Sequence, residues 1–164
     1  TAALTSEDEA REAAAAHADL RTCTVLGRGF EYATAREWAL KLKELARVVA
    51  DPYSAADYRH GPLALVERDY PVLAVATSGA VAADLIALLR EIRDDYGADL
   101  VVLSDREDVR AIGRRSIRLP GGVPDHLAPI VSIVPAQLFA YHLTIARGLD
   151  PDAPRHISKV TLTT

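Results

Sequence analysis

The chain has 164 residues, of which 49% are hydrophobic and 26% charged, and its formal net charge is −4. This length fits one domain with a sizeable core, and the acidic balance gives no basic footprint for nucleic acid. No apolar stretch is expected to span a membrane and no signal peptide is visible, which favours the cytoplasm. The absence of methionine suggests a piece of a longer protein.

The predicted elements alternate between helices and apolar strands. A first helix is expected over residues 5–19, where Thr5 or Ser6 can act as the N-cap. The strands are predicted at 22–26, 72–76, 100–103 and 116–119. The helices that follow are predicted at 34–50, 77–96, 108–113 and 129–148, with an irregular stretch at 53–59. Strands without polar alternation indicate a parallel sheet covered on both faces, so the fold class is a three-layer α/β/α sandwich with four or five strands.

The second predicted helix carries a row of charged side chains. Glu37, Lys41 and Glu44 stand at i, i+4 and i+7 and therefore share one helix face. A separate apolar stripe is expected from Trp38, Leu42, Leu45 and Val49. A carboxylate–ammonium–carboxylate row beside a buried stripe could hold a proton-transferring base, although solvated surface pairs have the same spacing.

The chain resembles the second sugar-isomerase (SIS) domain of the glucosamine-6-phosphate synthases. The pattern Glu-x-Ala-Leu-Lys-Leu-Lys-Glu spans residues 37–44, and His-Gly-Pro-Leu-Ala-Leu spans 60–65. Val-Pro-Ala-Gln-Leu at 134–138 and Asp-Pro-Asp-x-Pro-Arg at 150–155 continue it in order. Trp38, which stands where the family usually carries glycine, is a departure that bears on the substrate.

The resemblance implies that Glu44 is a general base, which shuttles a proton between carbons 1 and 2 of a sugar through an enediol. It further implies that Lys41 stabilises the developing oxyanion and that Glu37 orients Lys41. A structural ion pair is an equally open role for Glu37 and Lys41.

His60 matches the family histidine that opens the sugar ring from the neighbouring subunit, so a homodimer is implied. A hydrogen-bonded turn residue is the alternative. Lys159 matches the lysine of the C-terminal loop, which contacts the open-chain sugar and can form a Schiff base with a keto sugar, so the resemblance implies a catalytic role for it. Without the resemblance it would be a solvated tail residue. Ser158, assigned with Lys159 to substrate binding, stands where the family usually has alanine.

Thr77, Ser78 and Gly79 follow a strand and could bind an anion at a helix start, although plain N-capping is the commoner use of such residues. In the family, the loop that holds the sugar phosphate lies mainly in the first SIS domain, of which this chain has no counterpart. The loop Gly27 to Gly29 fails as a dinucleotide motif because position 32 is Tyr.

Cys23 is expected to be a small buried residue rather than a disulfide or metal ligand. His17 is expected on an exposed helix face, and the histidines share no metal-ligand spacing, so neither a metal nor a cofactor is predicted.

The chain is divided into a connecting helix (1–20), an SIS domain (21–149) and a C-terminal active-site tail (150–164). The predicted function is the C-terminal isomerase domain of an enzyme that isomerises, aminates or deaminates fructose-6-phosphate or glucosamine-6-phosphate. Its predicted partners are a phosphorylated sugar, a second copy and an upstream SIS domain, without which the chain alone is expected to be inactive. The alternative is a non-catalytic sugar-phosphate-binding module of a regulator.

Overall fold

The computed structural model describes residues 5–156, which form a parallel sheet of five strands in the order β2-β1-β3-β4-β5. The strands are β1 Thr22–Gly27, β2 Val49–Ser54, β3 Pro71–Val75, β4 Asp99–Ser104 and β5 Arg115–Arg118. The helices are α1 Glu7–Ala16, α2 Glu31–Glu44, α3 Ala55–Tyr58, α4 Ala82–Asp94, α5 Glu107–Arg110 and α6 Ala128–Ala146. The predicted α/β/α sandwich is confirmed.

The sheet separates two apolar layers because successive strand residues point to opposite faces. Val101 and Leu103 of β4 pack with α1, α2 and α6, whereas Leu100 and Val102 pack with α3, α4 and α5. Helices therefore cover both faces, and the β strands need no polar alternation.

The predicted helix over 34–50 is wrong at its C-terminal end. Helix α2 ends at Glu44, and Arg47 adopts a left-handed conformation with φ of +56° that turns the chain into β2. Val49 therefore lies in β2, with 61% of its surface exposed, and does not extend the apolar stripe of Trp38 and Leu42. Pro52 is tolerated in β2 because this strand lies at the sheet edge.

One expectation for the first helix is wrong, and another holds only in part. His17 is buried rather than exposed, and its Nδ1 lies 2.7 Å from the carbonyl oxygen of Ala13. Ser6 occupies the N-cap position, as expected, but its side chain does not cap the helix, because its hydroxyl donates to the carbonyl of Arg118, the last residue of β5. Helix α1 thus packs into the domain through Ala10, Ala13 and Ala14, which are buried.

Helix α6 is apolar around most of its circumference. We expected no apolar stretch long enough to span a membrane. However, α6 together with the short helical turn before it (Asp125–Ala146) is long and apolar enough to do so, and it is the one such helix in the described part of the chain. Its side chains Phe139 and Leu143 are buried, and the helix packs against both α1 and α2. Burial in the core accounts for only part of its composition, because Ile130, Tyr141 and Ile145 are exposed.

Candidate active site

The predicted row of charges is assembled on α2. Lys41 Nζ donates to Glu44 Oε2 at 2.6 Å and lies 3.7 Å from Glu37 Oε1. About a third or less of each of these three side chains is exposed, so they lie at the edge of the core. The short contact joins Lys41 to Glu44, whereas the sequence reasoning paired Lys41 with Glu37.

The two carboxylates hold Lys41 as a cation. The hydrogen bond to Glu44 and the charge of Glu37 raise the pKa of Lys41, against the opposing effect of burial. Glu37 Oε1 also accepts a longer hydrogen bond, of 3.4 Å, from Gln137 Nε2 on α6. A fixed ammonium beside a carboxylate can stabilise negative charge that develops on a substrate oxygen.

The buried side of α2 fixes the orientation of this row. Trp38 and Leu42 are fully buried, and the Trp38 ring meets the Phe139 ring of α6 edge to face at 5.3 Å. Because the apolar stripe packs against α6, α2 cannot turn about its own axis. The face that carries Glu37, Lys41 and Glu44 therefore has a fixed orientation.

His60 is exposed and follows α3, and its backbone N–H donates to the backbone carbonyl of Asp57. Its neighbour Arg59 pairs with Glu91 of α4, which belongs to the layer on the opposite side of the sheet from α2. Within the described residues, no hydrogen bond or ion pair connects His60 with Glu44. One chain therefore does not bring these two groups together.

The loop after β3 is already hydrogen-bonded to carboxylates. The N–H of Ser78 donates to Asp105 Oδ1 at 2.8 Å, and the N–H of Ala80 donates to Asp125 Oδ2 at 3.2 Å. A Cβ at Gly79 would lie only 1.9 Å from Asp125 Oδ1, so a larger residue there would displace the Asp125 carboxylate. Helix α4 begins only at Ala82, so Thr77 and Ser78 do not occupy its first turn.

Glu31, which the sequence reasoning did not single out, lies where β1 turns into α2. A Cβ at Gly27 would lie 2.4 Å from the carbonyl oxygen of Glu31, so glycine permits this tight turn. Glu31 Oε2 accepts a 2.6 Å hydrogen bond from Ser132, whose oxygen lies 2.9 Å from that of Thr34. Burial raises the pKa of Glu31, and these hydroxyl groups act in the opposite direction.

Ser158 and Lys159 lie outside the described residues. Cys23 is buried in β1 as expected, and burial raises the pKa of its thiol to about 12. Over residues 5–156 no cluster of three or more His, Cys, Asp or Glu side chains could hold a metal ion.

Comparison with known proteins identifies the domain. The SIS domain family matches residues 18–147. A glutamine–fructose-6-phosphate aminotransferase (isomerizing) from Thermococcus kodakarensis is 41% identical over 157 residues, which are 96% of this chain and 26% of that relative. The same enzyme from Legionella pneumophila (strain Paris) is 43% identical over 134 residues, which are 82% of this chain and 22% of that relative. The chain thus spans about a quarter of the length of these curated relatives.

Comparison with solved structures supports the same family assignment. The C-terminal domain of glucosamine-fructose-6-phosphate aminotransferase from Francisella tularensis superposes with a TM-score of 0.80 at 29% identity, over 92% of this chain and 42% of that one. Tagatose-6-phosphate ketose/aldose isomerase from Escherichia coli superposes with a TM-score of 0.75 at 29% identity, over 94% of this chain and 43% of that one. The chain belongs to the SIS domain family, and it is homologous to the C-terminal domain of these aminotransferases and to phosphosugar isomerases.

Proposed function

We propose that this chain is the isomerase half of an enzyme that converts a phosphorylated ketose and aldose into one another, with Glu44 as the general base. The 2.6 Å hydrogen bond between Lys41 Nζ and Glu44 Oε2 carries the proposal, because it pairs a base with a cation at the edge of the core. The names of the relatives, an isomerizing aminotransferase and a ketose/aldose isomerase, support this chemistry.

In the proposed reaction the Glu44 carboxylate removes a proton from carbon 1 of an open-chain ketose phosphate. The electron pair of the broken C–H bond forms the C1–C2 double bond of an enediol, while the carbonyl oxygen at carbon 2 takes up a proton. Return of a proton from Glu44 to carbon 2, with loss of the proton on the carbon 1 hydroxyl, gives the aldose. The Lys41 ammonium stabilises the oxyanion in both directions.

Glu37 supports Lys41 in this scheme. Its carboxylate lies 3.7 Å from Nζ, too far for the short hydrogen bond that Glu44 makes, so its contribution is electrostatic and positional. We assign Glu37 as a positioning residue, with Gln137 restraining it from α6.

His60 is proposed to open the sugar ring in the active site of a second copy, which makes the working unit a homodimer. Its exposure, and its place on the side of the sheet away from α2, support a role outside its own chain. An imidazole titrates in the range that proton transfer between a hydroxyl and the ring oxygen needs.

The remaining substrate contacts are proposed from several parts of the protein. Lys159 and Ser158 are assigned to the open-chain sugar. Thr77 and Ser78 are assigned to it through their hydroxyl groups, since the N–H of Ser78 already donates to Asp105. The phosphate is assigned to an upstream SIS domain, because this chain covers only 42% of the solved C-terminal domain of an aminotransferase. The chain alone is therefore expected to be inactive.

The proposed setting is the cytoplasm, where phosphorylated sugars are metabolised. A regulator that only binds sugar phosphates is not favoured, because the compared relatives are named as enzymes. Whether the full protein aminates, deaminates or only isomerises depends on its other domains.

Complementation between two inactive variants tests the base and the histidine together. Glu44→Gln and His60→Ala are each expected to be inactive in the full-length protein. Random mixing of the two should give about a quarter of the wild-type isomerase activity, because half of the dimers are mixed and each has one intact site of two. Absence of recovery in demonstrably mixed dimers would contradict the shared site.

A further inference from the structure

The short helical turn that ends in His60 has a defined geometry. Ser54 precedes α3, and its side chain accepts a 3.3 Å hydrogen bond from the N–H of Ala56. Arg59 keeps helical backbone angles after α3, and the N–H of His60 donates back into that helix. Successive side chains of a helix point about 100° apart, so the directions of Tyr58 and Arg59 determine the direction that is left for His60.

Tyr58 anchors this turn from inside the domain. Its side chain is fully buried in the apolar layer of α3 and α4, where its ring packs against Tyr53 with the ring centres 5.6 Å apart. Its hydroxyl donates to Thr24 Oγ1 of β1 at 3.3 Å. Burial raises the pKa of Tyr58 to about 12, so this hydroxyl remains a donor at neutral pH. The turn is thereby tied to a strand inside the sheet.

Arg59 anchors the same turn to a neighbouring helix. Its Nη2 and Nε donate to Glu91 Oε2 on α4, at 2.5 Å and 3.2 Å. About a third of each side chain is exposed, so salt screens this ion pair less than it screens a fully solvated one. Because the contacts of Tyr58 and Arg59 lie in different directions, they restrain both the position and the tilt of the turn.

His60 takes the remaining direction. Tyr58 is directed into the core and Arg59 toward α4, so the exposed imidazole is directed away from its own domain. Opening of a ketose ring breaks the bond between carbon 2 and the ring oxygen, while a proton passes from the anomeric hydroxyl to that oxygen. The imidazole that relays this proton must reach both oxygens, and an error of about 1 Å in placement can cost about a hundredfold in rate.

We propose that Tyr58 and Arg59 are positioning residues for ring opening, because together they fix the direction in which His60 enters the active site of a second copy. Neither of them is assigned a contact with the sugar. The inference rests on the proposed function of His60, and it adds the contacts through which the chain delivers that histidine to its partner.

Two substrates of the full-length protein separate positioning from a general structural role. Fructose-6-phosphate closes into a ring, whereas its analogue without the hydroxyl on carbon 5 cannot form that ring. Arg59→Gln, which removes the ion pair with Glu91, should lower kcat/KM for fructose-6-phosphate about tenfold and leave that of the open-chain analogue unchanged. Tyr58→Phe, which keeps the ring but removes the hydrogen bond to Thr24, should act in the same direction.

Matched variants test whether Arg59 acts through its ion pair. Glu91→Gln removes the same pair from the side of α4 and should reproduce the effect of Arg59→Gln, and the double variant should be no slower than either single one. Arg93→Gln is the control, because Arg93 pairs with Asp94 and not with the turn, and it should leave the rates with both substrates unchanged.

The outcomes distinguish this inference from the function on which it rests. His60→Ala should be inactive with fructose-6-phosphate and active with the open-chain analogue. Loss of both activities, or of neither, would refute the ring-opening role of His60 and the inference with it. If His60→Ala behaves as expected, the positioning role alone is overturned for each anchoring residue whose variant matches the wild type or slows both substrates equally.

Discussion

Trp38 offers a direct test of how α2 is held. The indole is fully buried against Phe139, yet its Nε1 has no hydrogen-bond partner among the described residues. Replacing Trp38 with Phe removes about 40 Å³ of ring, which at about 24 cal/mol per Å³ costs about 1 kcal/mol. The same change removes an unpaired buried N–H, whose presence costs about 1–3 kcal/mol. The two effects offset one another.

We therefore expect Trp38→Phe to change the free energy of unfolding by no more than about 1 kcal/mol, and Trp38→Ala to lower it by about 3–5 kcal/mol. Urea unfolding followed by far-ultraviolet circular dichroism measures both, since Trp38 is the single tryptophan and fluorescence is lost with it. A Phe variant as unstable as the Ala variant would refute the reasoning, because it would mean that the indole N–H is paired in solution.

Three further predictions concern buried groups. Because the pKa of Cys23 is raised to about 12, only about one thiol in ten thousand is ionised at about pH 8. Labelling of Cys23 by a thiol-specific reagent should therefore be about a thousandfold slower than labelling of a free thiol until urea unfolds the protein. Labelling within tenfold of a free thiol would contradict this burial. Ser132→Ala removes the donor to Glu31 Oε2 and should lower the free energy of unfolding by about 1–3 kcal/mol in the same urea assay, whereas an unchanged value would show that this hydrogen bond contributes nothing. The folded state raises the pKa of Glu31 above its ordinary value of 4.5, so this carboxyl group ionises at a lower pH in the unfolded chain than in the folded one. The free energy of unfolding, compared with that of Glu31→Gln, should therefore fall as the pH rises from below 4.5 through the folded pKa. Parallel pH profiles for the two proteins would argue against this.

Most of the architecture follows from apolar patterning. Val72 to Ala76 and Leu100 to Leu103 are continuous apolar runs, which is why the buried parallel strands could be predicted. Strand β2 could not, because Asp51 and Pro52 are unfavourable in a strand and only its position at the sheet edge makes them acceptable. Tertiary position, rather than local preference, decides such a segment.

The candidate site was predictable where helix geometry determines it. Glu37, Lys41 and Glu44 share a face as their spacing requires, although the spacing did not indicate which carboxylate Lys41 approaches most closely. Glu31 and Asp125 line one cavity from positions 94 residues apart, and no local pattern joins them. The available signal was a glutamate two residues after the glycine loop that ends β1, as at Glu31.

The central claim is that Glu44 transfers the proton, and exchange of the substrate's carbon-bound hydrogen with solvent measures this transfer directly. In the full-length protein, Glu44→Gln should reduce both isomerisation and solvent-deuterium incorporation into the sugar phosphate by about a hundredfold or more, with an unchanged circular dichroism spectrum. Glu67→Gln, at an exposed position, should leave both rates unaltered. Deuterium incorporation by Glu44→Gln at a rate close to that of the wild type would contradict the assignment of Glu44 as the base.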